Sequence, residues 1–367
     1  MEAQSGGSEL VFIGTYTGAK SQGIYLTHLD PASGRLGPLE LAAKTENPTF
    51  LALHPNRRFL YAANEIDNFG GQRSGAVSGF RIDPQSGKLT LLGQQPSGGG
   101  GPCHLAVDGA GRCVLVANYG SGSLAVLGLG DDGSLDPPSS VLQHHGSSVN
   151  PQRQAGPHAH FITTDPANRF ALACDLGLDK VFIYRLNIPA ADGTPGLTTN
   201  DPPWLQVKPG SGPRHLAFHP NGRFVYLISE LGCTLTACSY DAKRGALDKV
   251  QVVSTLPEGF KGDNISAEVQ VHPSGRFVYG SNRGDDSIVV FAIDPNSGKL
   301  SFIQRVSTQG KTPRHFAFDT TGQWLLCEDQ DSDRVVEFAV DAATGRLTPT
   351  GQTLQVGAPV CAVFLSE

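Results

Sequence analysis

Histidine, arginine and glutamate recur in this sequence at two kinds of position, and together those side chains can stabilise an anion and move a proton. One set stands just after a proline or its equivalent: Cys103 and His104, His158 and His160, Arg214 and His215, Glu268, Arg314 and His315. The other closes an apolar run: Tyr16, Asn64 and Glu65, Asn118 and Tyr119, Asp175, Glu230, Asn282 and Arg283, Glu328 and Asp329. A guanidinium stays charged and donates in a rigid fork, while imidazole and carboxylate exchange protons. Such groups act in concert only if the fold gathers them.

The gathering elements are repeats. GPRHLAFHPNGRFVYLISE (Gly212 to Glu230) reads as an apolar strand from His215 to His219, a Pro-Asn-Gly turn and a second strand from Arg223 to Ser229. Related pieces begin at Asn47, Gly101, Gly156, Ser266 and Thr312. Each continues into a third strand and a turn leading to a fourth, as in VSGFRIDPQSGKLTLL from Val77 and VVFAIDPNSGKLSFI from Val289. Alternating apolar residues bounded by Asp-Pro and Ser-Gly mark half-buried strands and tight turns. The position before the first strand falls at Pro48, Pro102, Pro157, Pro213, Ala267, Pro313 and Pro359, with spacings of 54, 55, 56, 54, 46 and 46. Four antiparallel strands at that period predict an all-β fold, a seven-bladed β-propeller. The chain starts on a second-strand pattern (Leu10 to Thr15) and ends on a lone first strand (Val360 to Leu365), so the C-terminal strand is expected to complete the first blade. One domain over residues 1–367 follows, with 1–9 as a flexible N-terminus.

In such a blade the first strand lines the axis, and its start shares one end of the sheet with the end of the second strand. Both sets of polar residues therefore converge on one funnel, which is expected to hold a functional site. The bland alternative is mutual satisfaction of polar groups along the channel, and His104, His215 and His315 are partly that. His54, His219 and His272 belong to turns at the other end. Two long connections, Pro137 to Gly156 and Asn187 to Gly212, are either functional or inert insertions.

Composition excludes several classes. The 367 residues carry 28 Lys and Arg against 34 Asp and Glu, a net charge of −6 without a basic block, so nucleic acid and anionic membranes are not expected partners. MEAQSGGSEL lacks the form of a signal peptide, and no apolar run is long enough to span a membrane. Seven cysteines without CxxC spacing argue against a disulfide framework or a zinc site. Cys103, Cys113, Cys174, Cys327 and Cys361 fall in predicted strands as buried hydrophobes, which points to a reducing, cytoplasmic location; the low charge content and short blades suggest a monomer or small homo-oligomer. QGKTPRH from Gln309 is no phosphate loop, because Arg305 stands where its first glycine should. DQDSDR (Asp329 to Arg334) lacks the Gly and Glu of a calcium loop and reads as a solvated turn. No G-x-S-x-G or H-E-x-x-H occurs.

QHHGSSVNPQRQAGPHAH (Gln143 to His160), GPRHLAFHPNGRFVYLISE and AEVQVHPSGRFVYGSNRG (Ala267 to Gly284) resemble the lactonase seven-bladed β-propeller family, which includes bacterial 6-phosphogluconolactonases and the fungal carboxy-muconate lactonising enzyme. The resemblance covers the chain from GTYTG at Gly14 to the closing strand. It implies a His, two Arg and a Glu as active-site groups: His160 or neighbouring His158, Arg214, Glu230 and Arg283. It further implies metal-independent hydrolysis of 6-phosphogluconolactone in the pentose phosphate route, with no cofactor and a small sugar-phosphate lactone as partner. Opening a lactone passes through a tetrahedral oxyanion, which Arg214 and Arg283 suit, and water needs a base, for which Glu230 or His160 could serve. Arg153, Arg314 and Lys261 are candidates for a phosphate site, with His158, His215, Glu268 and Asn282 as further substrate contacts. A muconate cycloisomerase, a calcium-dependent lactonase using Asn64, Glu65, Asn118, Asp175 and Glu230, and a non-catalytic interaction propeller are the rival readings.

Overall fold

The computed structural model describes residues 7–188 and 193–366. Seven sheets follow one another along the chain. Six take four consecutive strands each. In blade 5 these are Pro213–Phe218, Phe224–Ser229, Thr234–Asp241 and Ala246–Ser254, from the axis outward. The first sheet is completed by Pro359–Ser366, which pairs antiparallel with Glu9–Thr15 from Glu9↔Ser366 to Thr15↔Pro359. Glu9, expected in the flexible N-terminus, thus begins a strand and is buried. The outermost strand of this first sheet is split into Arg35–Leu36 and Glu40–Lys44 around Pro38, which cannot donate to the ladder.

Second strands such as Phe224–Ser229 are buried on both faces, whereas outer strands alternate, as the graded apolar content of each repeat requires. Seven apolar clusters result, each straddling one pair of neighbouring blades. Polar latches lie between the same pairs. The second-strand tyrosines Tyr61, Tyr226 and Tyr279 donate to the carbonyls of Gly133, Gly298 and Gly345 in the next blade. His54, His219 and His272 pair through Nε2 with the carbonyls of Gly111, Gly275 and Gly322. These turn histidines therefore tie blades together. In the HPNG turn Gly222 adopts φ +67°, a left-handed conformation that favours glycine.

The two long connections are shorter than expected, because each contains an outer strand: Leu135–Gln143 and Gly196–Gln206. Both carry Pro-Pro, which argues against a strand in an inner position, but an outer strand needs only one paired edge. All seven cysteines are free and buried.

Candidate functional site

At the start of the inner strand the pairing register slips, and in six blades one residue is left without a partner. Pro48↔Asn64 is followed by Phe50↔Ala63, and Pro213↔Ser229 by His215↔Ile228. The extra residues are Thr49, Cys103, His160, Arg214, Arg314 and, in the first blade, Val360. Such a bulge re-aims a side chain, here toward the axis. A second ring stands at the end of each second strand: Tyr16, Glu65, Tyr119 and Glu230 follow the ladder, and Arg283 closes it, paired with Ile265. The two rings meet in a cavity of about 220 Å³ lined by Tyr16, Glu65, Cys103, Tyr119, Arg153, His160, Glu230, Ile265, Arg283 and Arg314.

Register also separates the two histidines. In blade 4 it is Ala159, not Pro157, that pairs with the last residue of the second strand, Asp175. His160 is therefore the bulge residue and lines the cavity, whereas His158 precedes the strand. His158 stacks on Tyr119 at 4.4 Å and its Nδ1 lies 3.0 Å from the Tyr119 carbonyl.

Glu230 is enclosed by three guanidinium groups. Arg153 Nη2 donates to Oε1 at 2.6 Å, Arg283 Nη2 lies 2.9 Å from Oε2, and Arg214 Nε lies 3.1 Å from the same oxygen, off the line of a hydrogen bond. Burial alone would raise this carboxyl, but Arg283, Arg214 and Arg153 outweigh it and hold it at about 2. The arginines come from separate elements. Arg153 reaches in from the connection before blade 4 and is partly exposed, while Arg214 is fixed by the Ala267 carbonyl at 2.8 Å and Arg283 by the Ser266 carbonyl at 3.1 Å. His160 is buried, and desolvation together with Arg214, Arg314 and Arg283 keeps it neutral. The Cys103 thiol, 3.7 Å from His160 Nδ1, is pushed up by burial and by Glu65, so it is no thiolate. Across the cavity Arg314 donates to the Tyr16 hydroxyl at 3.0 Å and lies 3.9 Å from Glu65.

Below the cavity, rings from four blades close the channel: Phe50 lies 4.0 Å from His104, 6.0 Å from His215 and 5.8 Å from His315. The histidines meet two buried acids. Glu268 Oε2 is 2.9 Å from His215 Nδ1, and Glu328 Oε2 is 2.8 Å from His315 Nδ1. The Ala362 N–H also donates to His315 Nδ1 at 3.3 Å, so that nitrogen is an acceptor and Glu328 meets it as the protonated acid. Burial, with Asp329 and Glu268 adding to it, pushes Glu328 up; burial pushes His315 down to about 3.

Glu268 is raised by burial, against Arg214, to about 8. A carboxyl raised on folding contributes stability that is complete below its unfolded value near 4.5 and lost as pH climbs through about 8. Wild-type stability is expected to fall through this group between those values, and Glu268→Gln, which keeps a neutral side chain, should flatten that slope. Denaturant titrations at pH 5 and pH 8 measure it; identical slopes in both proteins would mean that Glu268 is ionised in the fold.

Of the other expected site residues, His215 and Glu268 lie in this lower layer. Asn282 is buried and occupied by the Thr255 carbonyl at 3.0 Å and by Ser266 at 2.9 Å. Lys261 is exposed and does not line the cavity. Asp329, expected in a solvated turn, is wholly buried ahead of the short 3-10 turn Gln330–Ser332. Asn64 accepts from Ser78, the Asn118 amide donates to the Ser97 carbonyl and Asp175 meets His144, and among the described residues no group of three or more His, Cys, Asp or Glu is arranged to hold a metal. Tyr16, Glu65, Cys103 and Tyr119 stood in the two polar sets but carried no motif, and only the closed ring brings them to the cavity.

A seven-bladed ring with an arginine-rich blind cavity on its axis defines a class, the propeller lactonases, and the model of the family described as "Lactonase, 7-bladed beta-propeller" matches residues 10–364. The chain belongs to that family. It is 40% identical over 356 residues to a 6-phosphogluconolactonase of Bacillus subtilis, covering 97% of this chain and 98% of the relative. With a 6-phosphogluconolactonase of Formosa agariphila it shares 33% over 350 residues, covering 94% and 96%. The solved structure of a periplasmic gluconolactonase from Pseudomonas aeruginosa superposes with a TM-score of 0.91 at 36% identity, covering 98% of this chain and 99% of that one. Among the described residues no helix is long and apolar enough to cross a membrane.

Proposed function

We propose that this chain hydrolyses 6-phosphogluconolactone to 6-phosphogluconate, as the names of the Bacillus and Formosa relatives suggest, in the cytoplasm and as a step of the pentose phosphate route. The observation that carries the reading is the charge of the cavity. Three guanidinium groups on its wall (Arg153, Arg283, Arg314) and a fourth behind it (Arg214) meet two carboxylates (Glu65, Glu230) with His160 neutral, an excess of positive charge in a small space. Such a site favours a phosphorylated ligand and, more strongly, the oxyanion formed when the lactone carbonyl is attacked. Arg283, which lines the cavity, and Arg214 behind it are held rigid by Glu230 and by backbone carbonyls, so their field needs no rearrangement as the charge develops. Arg153, the most exposed of the four, suits a phosphate at the cavity mouth. Glu230, with both oxygens engaged, serves as the anchor of these arginines. The buried cysteines fit a reducing compartment.

The test is turnover of freshly generated 6-phosphogluconolactone against unphosphorylated gluconolactone, in EDTA, with the spontaneous rate subtracted. A strong preference for the phosphorylated lactone is expected. Arg283→Ala should lower kcat by about 10²–10³ on both substrates. Arg153→Ala should weaken kcat/KM about 10- to 100-fold on the phosphorylated one alone. Equal turnover of both lactones would remove the phosphate assignment, and turnover of neither would remove the lactone.

A further inference from the structure

Resting on the lactone reading, we infer that Glu65 is the catalytic base, the group that takes the proton from the attacking water. Glu65 occupies in blade 2 the position that Glu230 occupies in blade 5, one residue past the second strand, and the two blades stand nearly opposite across the ring. The two carboxylates line the same cavity but are treated differently. Glu230 is caged by Arg153, Arg214 and Arg283, which leaves it a poor proton acceptor. Glu65 Oε2 accepts from Thr49 Oγ1 at 2.7 Å and has one cation, Arg314, at 3.9 Å; the Tyr16 hydroxyl, which accepts from Arg314, also faces this carboxyl. His160, the other candidate, is desolvated and faces three arginines, so protonating it would add a fourth cation to a buried cluster. Glu65 is thus the pocket carboxylate that the arginines leave uncaged and best able to accept a proton.

Its placement is also firm. The Glu65 N–H donates to the Asn47 carbonyl at 2.9 Å, the Asn47 amide returns a bond to the Glu65 carbonyl at 3.2 Å, and the bulge at Thr49 supplies the hydroxyl that orients Oε2. The charged and titratable groups facing it are Tyr16 and Arg314, with Cys103 beyond them and Glu230 on the far wall. Neither Tyr16 nor Cys103 ionises near neutral pH, since burial raises both.

The step balances without a co-reactant. Water gives its proton to the Glu65 carboxylate as its oxygen bonds to the lactone carbonyl carbon, and the carbonyl electron pair moves onto the oxygen facing the arginines. Collapse of that oxyanion breaks the ring C–O bond, and the proton returns from Glu65 to the departing ring oxygen. The product is the open-chain hydroxy acid, and Glu65 is restored.

The experiment compares wild type, Glu65→Gln and Glu65→Ala on the better of the two lactones, with background-subtracted kcat, KM and pH–rate profiles. A base predicts that Glu65→Gln lowers kcat by about 10²–10⁴ while KM changes little, and that the acidic limb of the kcat profile vanishes. It also predicts that formate or acetate restores part of the kcat of Glu65→Ala in proportion to its concentration. Three results would overturn the assignment: near-normal kcat with raised KM in Glu65→Gln, an acidic limb that survives in the variant, or no rescue by carboxylates. Wild type failing on every lactone would instead sink the lactone reading, so the two failures are distinguishable.

Discussion

Glu230→Ala is expected to cost about 3–5 kcal/mol of folding stability and to abolish measurable turnover, because it leaves Arg214 and Arg283 buried without a counter-charge. Arg214 is 2% exposed, so solvent cannot substitute for the missing carboxylate. Glu230→Gln keeps the shape and loses the charge, and should fall between wild type and alanine in both respects. The pH dependence has a definite sign. A carboxyl held at about 2 against an unfolded value near 4.5 contributes stability that is complete above the unfolded value and is lost as pH falls toward 2. That loss amounts to about 3 kcal/mol in wild type and is absent in Glu230→Gln. Urea titrations at pH 7 and pH 3 separate the cases. A glutamine variant as acid-sensitive as wild type would show that Glu230 is not the group being titrated.

Deleting Pro359–Ser366 should prevent folding altogether. This strand supplies the inner edge of the first blade through a ladder from Thr15 to Glu9. It also contributes to two inter-blade clusters, with Cys361 and Leu365 packed toward blade 2 and Ala362 toward blade 7. Each large apolar side chain so buried contributes about 1.5–3 kcal/mol, and a domain's whole net stability is about 5–15 kcal/mol. The loss would further expose an unpaired strand facing the axis, a template for aggregation. The truncated chain should be insoluble, or lack a cooperative thermal transition. Recovery of a soluble, cooperatively unfolding protein would mean that the ring tolerates an open blade. Addition of the missing strand as a peptide should restore folding in part if the lost edge is the cause.

How much of this was written in the chain can be judged from particular residues. The apolar alternation, the Asp-Pro and Ser-Gly turns and the recurring proline are local signals, and they determined the strands, the seven-fold count and closure by the last strand. The strand order within a blade then placed Arg214, Glu230 and Arg283 at one end of the ring, since that follows from the hairpin alone. Local pattern failed where the backbone departs from it: a single bulge residue makes His160 the cavity histidine and leaves His158 outside, yet an extra residue in a ladder has no signature of its own in sequence. It failed again where a role depends on what stands opposite. Glu65 and Glu230 are equivalent in their repeats, and only closure of the ring surrounds one with three arginines and leaves the other with one. Lys261 shows the same limit, since its charge is plain in the chain but its outward position is not. Periodicity is fixed by neighbours a few residues apart, whereas a charge is tuned by side chains that meet across the axis from far along the chain, and only the closed ring brings those together.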